Sequence, residues 1–319
     1  RTARNRGVRV ACPAAMDHAL LANLSAEVAG LRTELADVRR TAGTAAEATD
    51  VSWILSSSIT VFLMQCGFGM LESGFVRAKN TKNILMKNLV DTCVCTLVFW
   101  LVGWSVAFGG SNAFIGPPIP HTADMTSGVW FHQFVYASAS STIVSGAIAE
   151  RTQPVAYVVH SLFMMAVIYP VVAHWVWSEA GFLSIRNPEA VLGGAIDFAG
   201  GAVVHLTGGI VSLVGAALIG PRVGRFNPVT GKPVPMPGHS SVLQVLGLFV
   251  LWFGWLGFNT GSVQSIVDAP EAAARVAVCT VLSGAAGGLA ILLLDLRFGT
   301  RACWAALLIG VVGGALCFG

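Results

Sequence analysis

The sequence predicts an all-α polytopic membrane protein with about eight transmembrane helices and its N-terminus outside. Three observations carry that prediction. Hydrophobic residues make up 55% of the chain and charged residues only 11%, less than half the roughly 25% of an ordinary soluble domain. Eight uncharged apolar stretches lie at 51–71, 92–110, 127–149, 154–177, 198–220, 240–267, 276–294 and 302–319, each near the ~20 residues that cross a bilayer as helix. Basic residues alternate between the connections. The first, third, fifth and seventh hold Arg77, Lys79, Lys82 and Lys87, then Arg151, then Arg222, Arg225 and Lys232, then Arg297 and Arg301, whereas the even ones hold only Arg186 and Arg275. The positive-inside rule makes the odd connections cytoplasmic and leaves residues 1–50 extracytoplasmic.

That N-terminal segment differs from the rest. It begins with Arg, and Arg1, Arg4, Arg6 and Arg9 precede any acid, the composition of a targeting remnant over residues 1–15, with Met16 an equally good start. Leu21, Leu24, Val28, Leu31, Leu35 and Val38 then alternate at spacings of three and four, which predicts a short heptad helix over 20–40 or, on the same pattern, an amphipathic surface helix. Asn23-Leu24-Ser25 is a glycosylation sequon if this end is extracytoplasmic.

Within the membrane part, the 110–127 connection carries Pro117, Pro118 and Pro120 and no basic residue, as an ordered extracellular loop would. The 221–239 connection is basic and rich in Pro and Gly, a cytoplasmic linker after five spans and before three. Seven cysteines, with Cys66, Cys93, Cys95, Cys279 and Cys317 in apolar runs, are neither a disulfide framework nor a metal set. No nucleophile–base pair or phosphate loop is visible, so an enzyme, a bound cofactor or metal, and nucleic acid are not expected.

Ionisable residues inside apolar helices are costly and mark candidate sites. His205 lies near the middle of the fifth span, among small residues that let helices approach closely; it reads either as a packed core histidine or as a pathway residue. His160 and His174 read as packing, and His132 in the third span is ambiguous. Asp197 stands at the N-terminal end of the fifth span, where free backbone N–H groups and the helix dipole favour a carboxylate. Its simplest role is a cap that also biases its surroundings toward cations. Trp175, Trp177, Trp252, Trp255 and Phe258 cluster near predicted outer ends. They form either an interfacial belt or the wall of a vestibule that holds a small cation on a ring face.

Four collinear motifs resemble the Amt/Mep/Rh ammonium transporters, and the Amt branch most: Gly67-Phe-Gly-Met-Leu-Glu-Ser-Gly-Phe-Val-Arg-Ala-Lys-Asn-Thr-Lys-Asn83, Ser145-Gly-Ala-Ile-Ala-Glu-Arg151, the 197–222 stretch, and Phe253-Gly-Trp-Leu-Gly-Phe-Asn-Thr-Gly-Ser262. The resemblance covers roughly residues 51–300. It implies an eleven-helix inverted-repeat fold, a homotrimer with one pore per subunit, residence in the plasma membrane, and ammonium or methylammonium as substrate. Residues 51–220 then form the first five-helix repeat, 221–239 the linker and 240–319 an incomplete second repeat of three helices.

The resemblance also assigns roles. Trp177 matches the vestibule tryptophan, Ser262 the hydroxyl beside it, Phe258 and Tyr136 the stacked aromatics that close the vestibule, Asp197 the buried supporting acid, and His205 the first of two pore histidines. It implies that ammonium is recruited at the vestibule and deprotonated, and that ammonia and a separate proton pass the histidine-lined pore. Three departures accompany it. Tyr136 stands where the family has phenylalanine, His132 stands where an aromatic ring is usual, and the tenth helix with the second histidine lies beyond Gly319. The expectation is therefore the N-terminal two-thirds of a transporter that conducts poorly alone. A non-conducting sensor or dominant-negative subunit and an Rh-like neutral-gas channel are the alternatives.

Overall fold

The computed structural model describes residues 14–110, 112–118 and 126–298, and among them all regular structure longer than an isolated bridge is helical. The 302–319 stretch, Arg301, Cys317, Pro120 and the Arg-rich residues 1–13 lie outside the described residues. Helix α1 is Ala14–Phe75, and the chain divides into two compact units between Thr49 and Asp50. In the first unit every side chain from 18 to 45 is exposed. Thr33, Thr41 and Thr49 bond back to carbonyls four residues earlier, and Arg40 pairs with Asp37 at 3.0 Å.

The second unit holds the rest of α1, then α2 (Ala78–Phe108), α3 (Ser127–Ile148), α4 (Pro154–Trp177), α5 (Gly201–Ile219), α6 (Ser241–Gly261) and α7 (Pro270–Phe298). Six helices of the described residues are long and apolar enough to cross a membrane; α3 is not among them. Its 22 residues give ~33 Å of helix, but Ser138, Ser140, Ser141, Thr142 and Ser145 lower its apolarity. Those hydroxyls are fully buried, so this face of α3 packs against protein.

Three helices carry wider π turns: Phe99–Gly103 in α2, Met164–Ile168 in α4 and Gly201–Leu206 in α5. The α4 turn precedes Pro170, whose ring supplies no N–H to the turn before it. The turns of α2 and α4 meet where a Cβ on Gly103 would fall 2.6 Å from the Met165 carbonyl, so only glycine permits that approach. Around them Met64, Phe99, Tyr136, Met164, Tyr169, Trp255 and Phe258 form the buried core. Trp255, which the sequence left between an interfacial belt and a vestibule wall, is 2% exposed.

Charge-based boundaries misplace the second span. The apolar run begins after Asp91, but α2 starts at Ala78, and Lys87 lies about two and a half turns inside it instead of in a cytoplasmic connection. Its ammonium is 3.9 Å from Glu72 of α1, donates to the Ser145 carbonyl at 3.0 Å and sits 4.5 Å from the Tyr157 ring centroid. Glu72 also accepts from Ser145 at 2.7 Å and Asn88 at 3.3 Å. One turn further along α2, Asp91 accepts from Ser141 at 2.8 Å, Thr142 at 3.1 Å and the Ser161 hydroxyl. The interior of the bundle thus solvates these charges with its own hydroxyls. Lys87→Met should strand Glu72 and lower stability by about 3–5 kcal/mol, the cost of breaking a buried pair, read as a loss of thermal midpoint in detergent.

At one end, the helix connections are tied by Glu150, which follows α3 at φ 60°. Its carboxylate accepts from the Arg77 backbone at 3.1 Å, the Arg77 guanidinium at 3.1 Å and the Asn80 amide, and pairs with Arg222 at 2.9 Å. Burial works against its ionisation, but the Asn80 and Arg77 hydrogen bonds and the Arg222 charge outweigh it and hold the carboxyl below the usual range. The 112–118 connection is pinned too. His174 contacts the Ala107 and Asn112 carbonyls at 2.9 and 2.7 Å, and Trp175 donates to the Phe114 carbonyl at 2.8 Å.

Candidate functional site: two cavities and an aromatic partition

The site grows from the start of α5. Asp197 precedes the helix, and its two oxygens accept from Gly200 N at 2.8 Å, Ala202 N at 3.0 Å and Val203 N at 2.7 Å. It caps the first turn with every hydrogen bond directed at backbone, as a carboxylate at a helix N-terminus does. Gly200 has φ 88°, and a Cβ there would lie 2.7 Å from Val204 and 3.3 Å from the Trp177 ring; the sharp entry needs glycine. The turn then opens into π winding, so that His205 N reaches back to Gly200 O at 3.0 Å.

The His205 side chain is held by the same carbonyl, with Nδ1 3.1 Å from Gly200 O. A carbonyl only accepts, so Nδ1 carries the proton and Nε2 carries a lone pair. Nε2 is buried and has no protein partner among the described residues. The ring meets Phe258 edge-on at 5.4 Å and lies 6.4 Å from Trp255.

On the other face of Phe258 lies Tyr136, stacked at 4.0 Å and 25°. Its hydroxyl donates to the Phe258 carbonyl at 2.6 Å and is 3.0 Å from Ser262 Oγ. Ser262, just past the end of α6, is also 2.9 Å from that carbonyl. Its one proton goes to Phe258 O or to the Tyr136 oxygen, and its remaining lone pairs are free to accept. Trp177 donates from Nε1 to Asp197 O at 2.8 Å, leaving its ring face 6.2 Å from Tyr136.

His132 joins this group. Its ring centroid is 4.4 Å from that of Tyr136, and Nδ1 is 3.1 Å from Ser58 Oγ. The Ser58 proton is committed to Ile54 O at 2.6 Å, so Nδ1 is the donor and Nε2 again presents a lone pair without a protein partner.

These residues border two cavities. The first, about 240 Å³, is lined by His132, Tyr136, Trp177, Asp197 and Ser262, with Gln133, Arg186 and Gln264. The second, about 880 Å³, is lined by His205 and Trp255 together with Glu72, Thr142 and Arg222. Phe258 borders neither; packed on Tyr136 and His205, it is the partition between them. All six residues singled out by the resemblance, Trp177, Ser262, Tyr136, Phe258, Asp197 and His205, therefore converge on one place. Sequence reasoning missed Glu72, which it placed in a loop because a charge ended the apolar run, and Gln133 and Gln264, which carry no signal in a single sequence. His160 lies against Tyr157 and lines neither cavity.

A model of the ammonium transporter family matches residues 52–301. The chain belongs to that family. It is 41% identical over 293 residues to ammonium transporter 3 of Dictyostelium discoideum, a match covering 83% of this chain and 66% of that protein. It is 44% identical over 282 residues to ammonium transporter 1 member 3 of Solanum lycopersicum, covering 82% of this chain and 60% of that protein. Among solved structures it superposes on one described as a sensor Amt protein with TM-score 0.75 at 33% identity, covering 86% of this chain and 68% of that one. For Mep2 of Candida albicans the values are 0.70 at 29%, with 84% and 59% covered. The ammonium transporter family member thus has the all-α polytopic membrane fold of Amt and Mep proteins. It spans between about half and two thirds of the length of the curated relatives it matches.

Proposed function

We propose that this family member supplies the ammonium-recruiting vestibule and the first histidine-lined half of an ammonium-conducting pore. The observation that carries the reading is the alignment of three elements: a cavity with lone pairs and ring faces, a two-ring partition, and His205 Nε2 as an unprotonated acceptor behind it. Ammonium has four N–H donors and must shed water. Ser262 Oγ and His132 Nε2 accept two of them, and the Trp177 ring attracts the charge, worth ~1–2 kcal/mol when desolvated. Asp197 contributes field without touching the ion, because its oxygens are consumed by backbone N–H groups.

Carrying the bare cation past Phe258 costs several kcal/mol even after relaxation. His205 confines that cost to the crossing of the partition: behind it an N–H bond of ammonium breaks, a bond to Nε2 forms, and neutral ammonia moves on while the proton follows separately. The vestibule faces outside, and the assembly is a homotrimer in the plasma membrane, acting as a transporter and not as an enzyme.

A concentration jump on proteoliposomes, read as charge displacement on a solid-supported membrane, tests this reading. Ammonium should give a saturable displacement and potassium, of similar size but without N–H donors, almost none. Equal responses would sink it. The likeness to a sensor Amt protein favours a second reading, in which the same site binds without conducting. A displacement whose decay time is unchanged by the lipid-to-protein ratio reports binding alone and supports sensing, and one that decays faster as protein density rises reports flux and supports transport.

A further inference from the structure

The heptad face of α1 has no partner among the described residues of its own unit. Leu21, Leu24, Val28, Leu31, Leu35 and Val38 are 44–64% exposed, and nothing from 18 to 45 is covered. A lone helix gains most of its stability by burying an apolar stripe, and this one has no partner within its own unit. The charges beside the stripe say what the partner is. With Leu21, Val28 and Leu35 at the first core position of each heptad and Leu24, Leu31 and Val38 at the second, Glu27 and Glu34 flank the stripe on one side and Arg32 and Arg39 on the other.

In a parallel, in-register pair of identical helices, each flanking residue faces the opposite flank of the next heptad on its neighbour. Glu27 then meets Arg32 of the second copy, and Glu34 meets Arg39. In the antiparallel arrangement that overlaps the whole stripe, the same flanks face each other, so Glu27 of each copy opposes Glu34 of the other, like charges repel, and the arginines lose their acidic partners. Arg40 is already engaged by Asp37 away from the stripe.

We propose that residues 20–40 form a parallel, in-register coiled coil between copies of this chain. The partner is therefore a second copy of this helix, recognised by its apolar stripe and by glutamate-to-arginine pairing. This rests only on the first unit and holds whether or not the pore reading above is right.

Oxidative cross-linking of the whole chain in membranes tests it. A disulfide needs Cα atoms within about 7 Å, so Leu24→Cys on the seam should link to itself between copies. Ala26→Cys, on the outer face, should give no more dimer than the unsubstituted chain. Reversing one flank, Glu27→Arg with Glu34→Arg in the Leu24→Cys chain, should cut that dimer several-fold. Mixing it with a chain carrying Leu24→Cys, Arg32→Glu and Arg39→Glu should restore it as a heterodimer. Equal linking at positions 24 and 26 would overturn the proposal. So would preferential linking of Leu24→Cys to Leu35→Cys, which reports the antiparallel pair, or indifference to both charge reversals.

Discussion

Asp197→Ala should be the most damaging single change around the first cavity. Three backbone N–H groups lose their acceptor together, one as a helix cap at about 1 kcal/mol and two more at about 1 kcal/mol each or above. The expected loss is therefore about 2–4 kcal/mol, visible as a lower thermal midpoint and less folded protein in the membrane. The damage should spread to binding, because the Asp197 carbonyl holds the Trp177 indole. Asp197→Asn separates cap from charge. Its amide oxygen can serve one or two of the N–H groups, while its NH₂ faces the third, so stability should fall about half as far. If both variants match the parent in stability, the capping account is wrong. If Asn restores stability but ammonium binding stays weak, the carboxylate's field is confirmed as a separate contribution.

Trp177→Leu should act the other way round, on affinity with little effect on fold. The indole gives one hydrogen bond to a loop carbonyl and a ring face to the cavity, and leucine keeps the apolar bulk. Losing a cation–π contact of ~1–2 kcal/mol predicts roughly 5- to 30-fold weaker half-saturation of the ammonium displacement. The small potassium response should not change. An unaltered half-saturation would show that the Trp177 ring does not hold the cation, and would return it to the belt of interfacial aromatics from which sequence alone could not separate it.

What the sequence made legible follows a physical divide. A histidine or an aspartate in an apolar run is conspicuous because lipid penalises it, so His205 and Asp197 stood out at once. Tyr136 announced a hydroxyl in need of a partner, and the Phe258 carbonyl and Ser262 meet that need. Glu72, Lys87 and Asp91 stayed hidden for the opposite reason. Hydropathy places every charge in water, yet these three are solvated by Ser141, Thr142, Ser145 and Ser161 inside the bundle. The hydroxyls themselves look unremarkable on α3. The π turn that brings His205 back to Gly200 O has no signature in composition or spacing either, although it is what fixes the tautomer. The hydroxyl and carbonyl partners of the three charges sit 50 to 73 positions away, and periodicity does not see them.

The polarity of α3 has a consequence for how the protein is made. A nascent helix enters the bilayer from the translocon according to its own hydrophobicity, and a segment carrying five buried hydroxyls, Gln133 and His132 is a poor candidate by itself. Its hydroxyls become tolerable once Asp91, Glu72 and Lys87 of α1 and α2 are beside them, and those charges in turn need α3 before they can leave the aqueous channel. Neither side is comfortable in lipid alone. Biogenesis should therefore proceed by retaining the early helices until α3 and α4 have emerged and releasing them as a block. The wall of the first cavity, to which α3 contributes His132, Gln133 and Tyr136, would be shaped in that shared release.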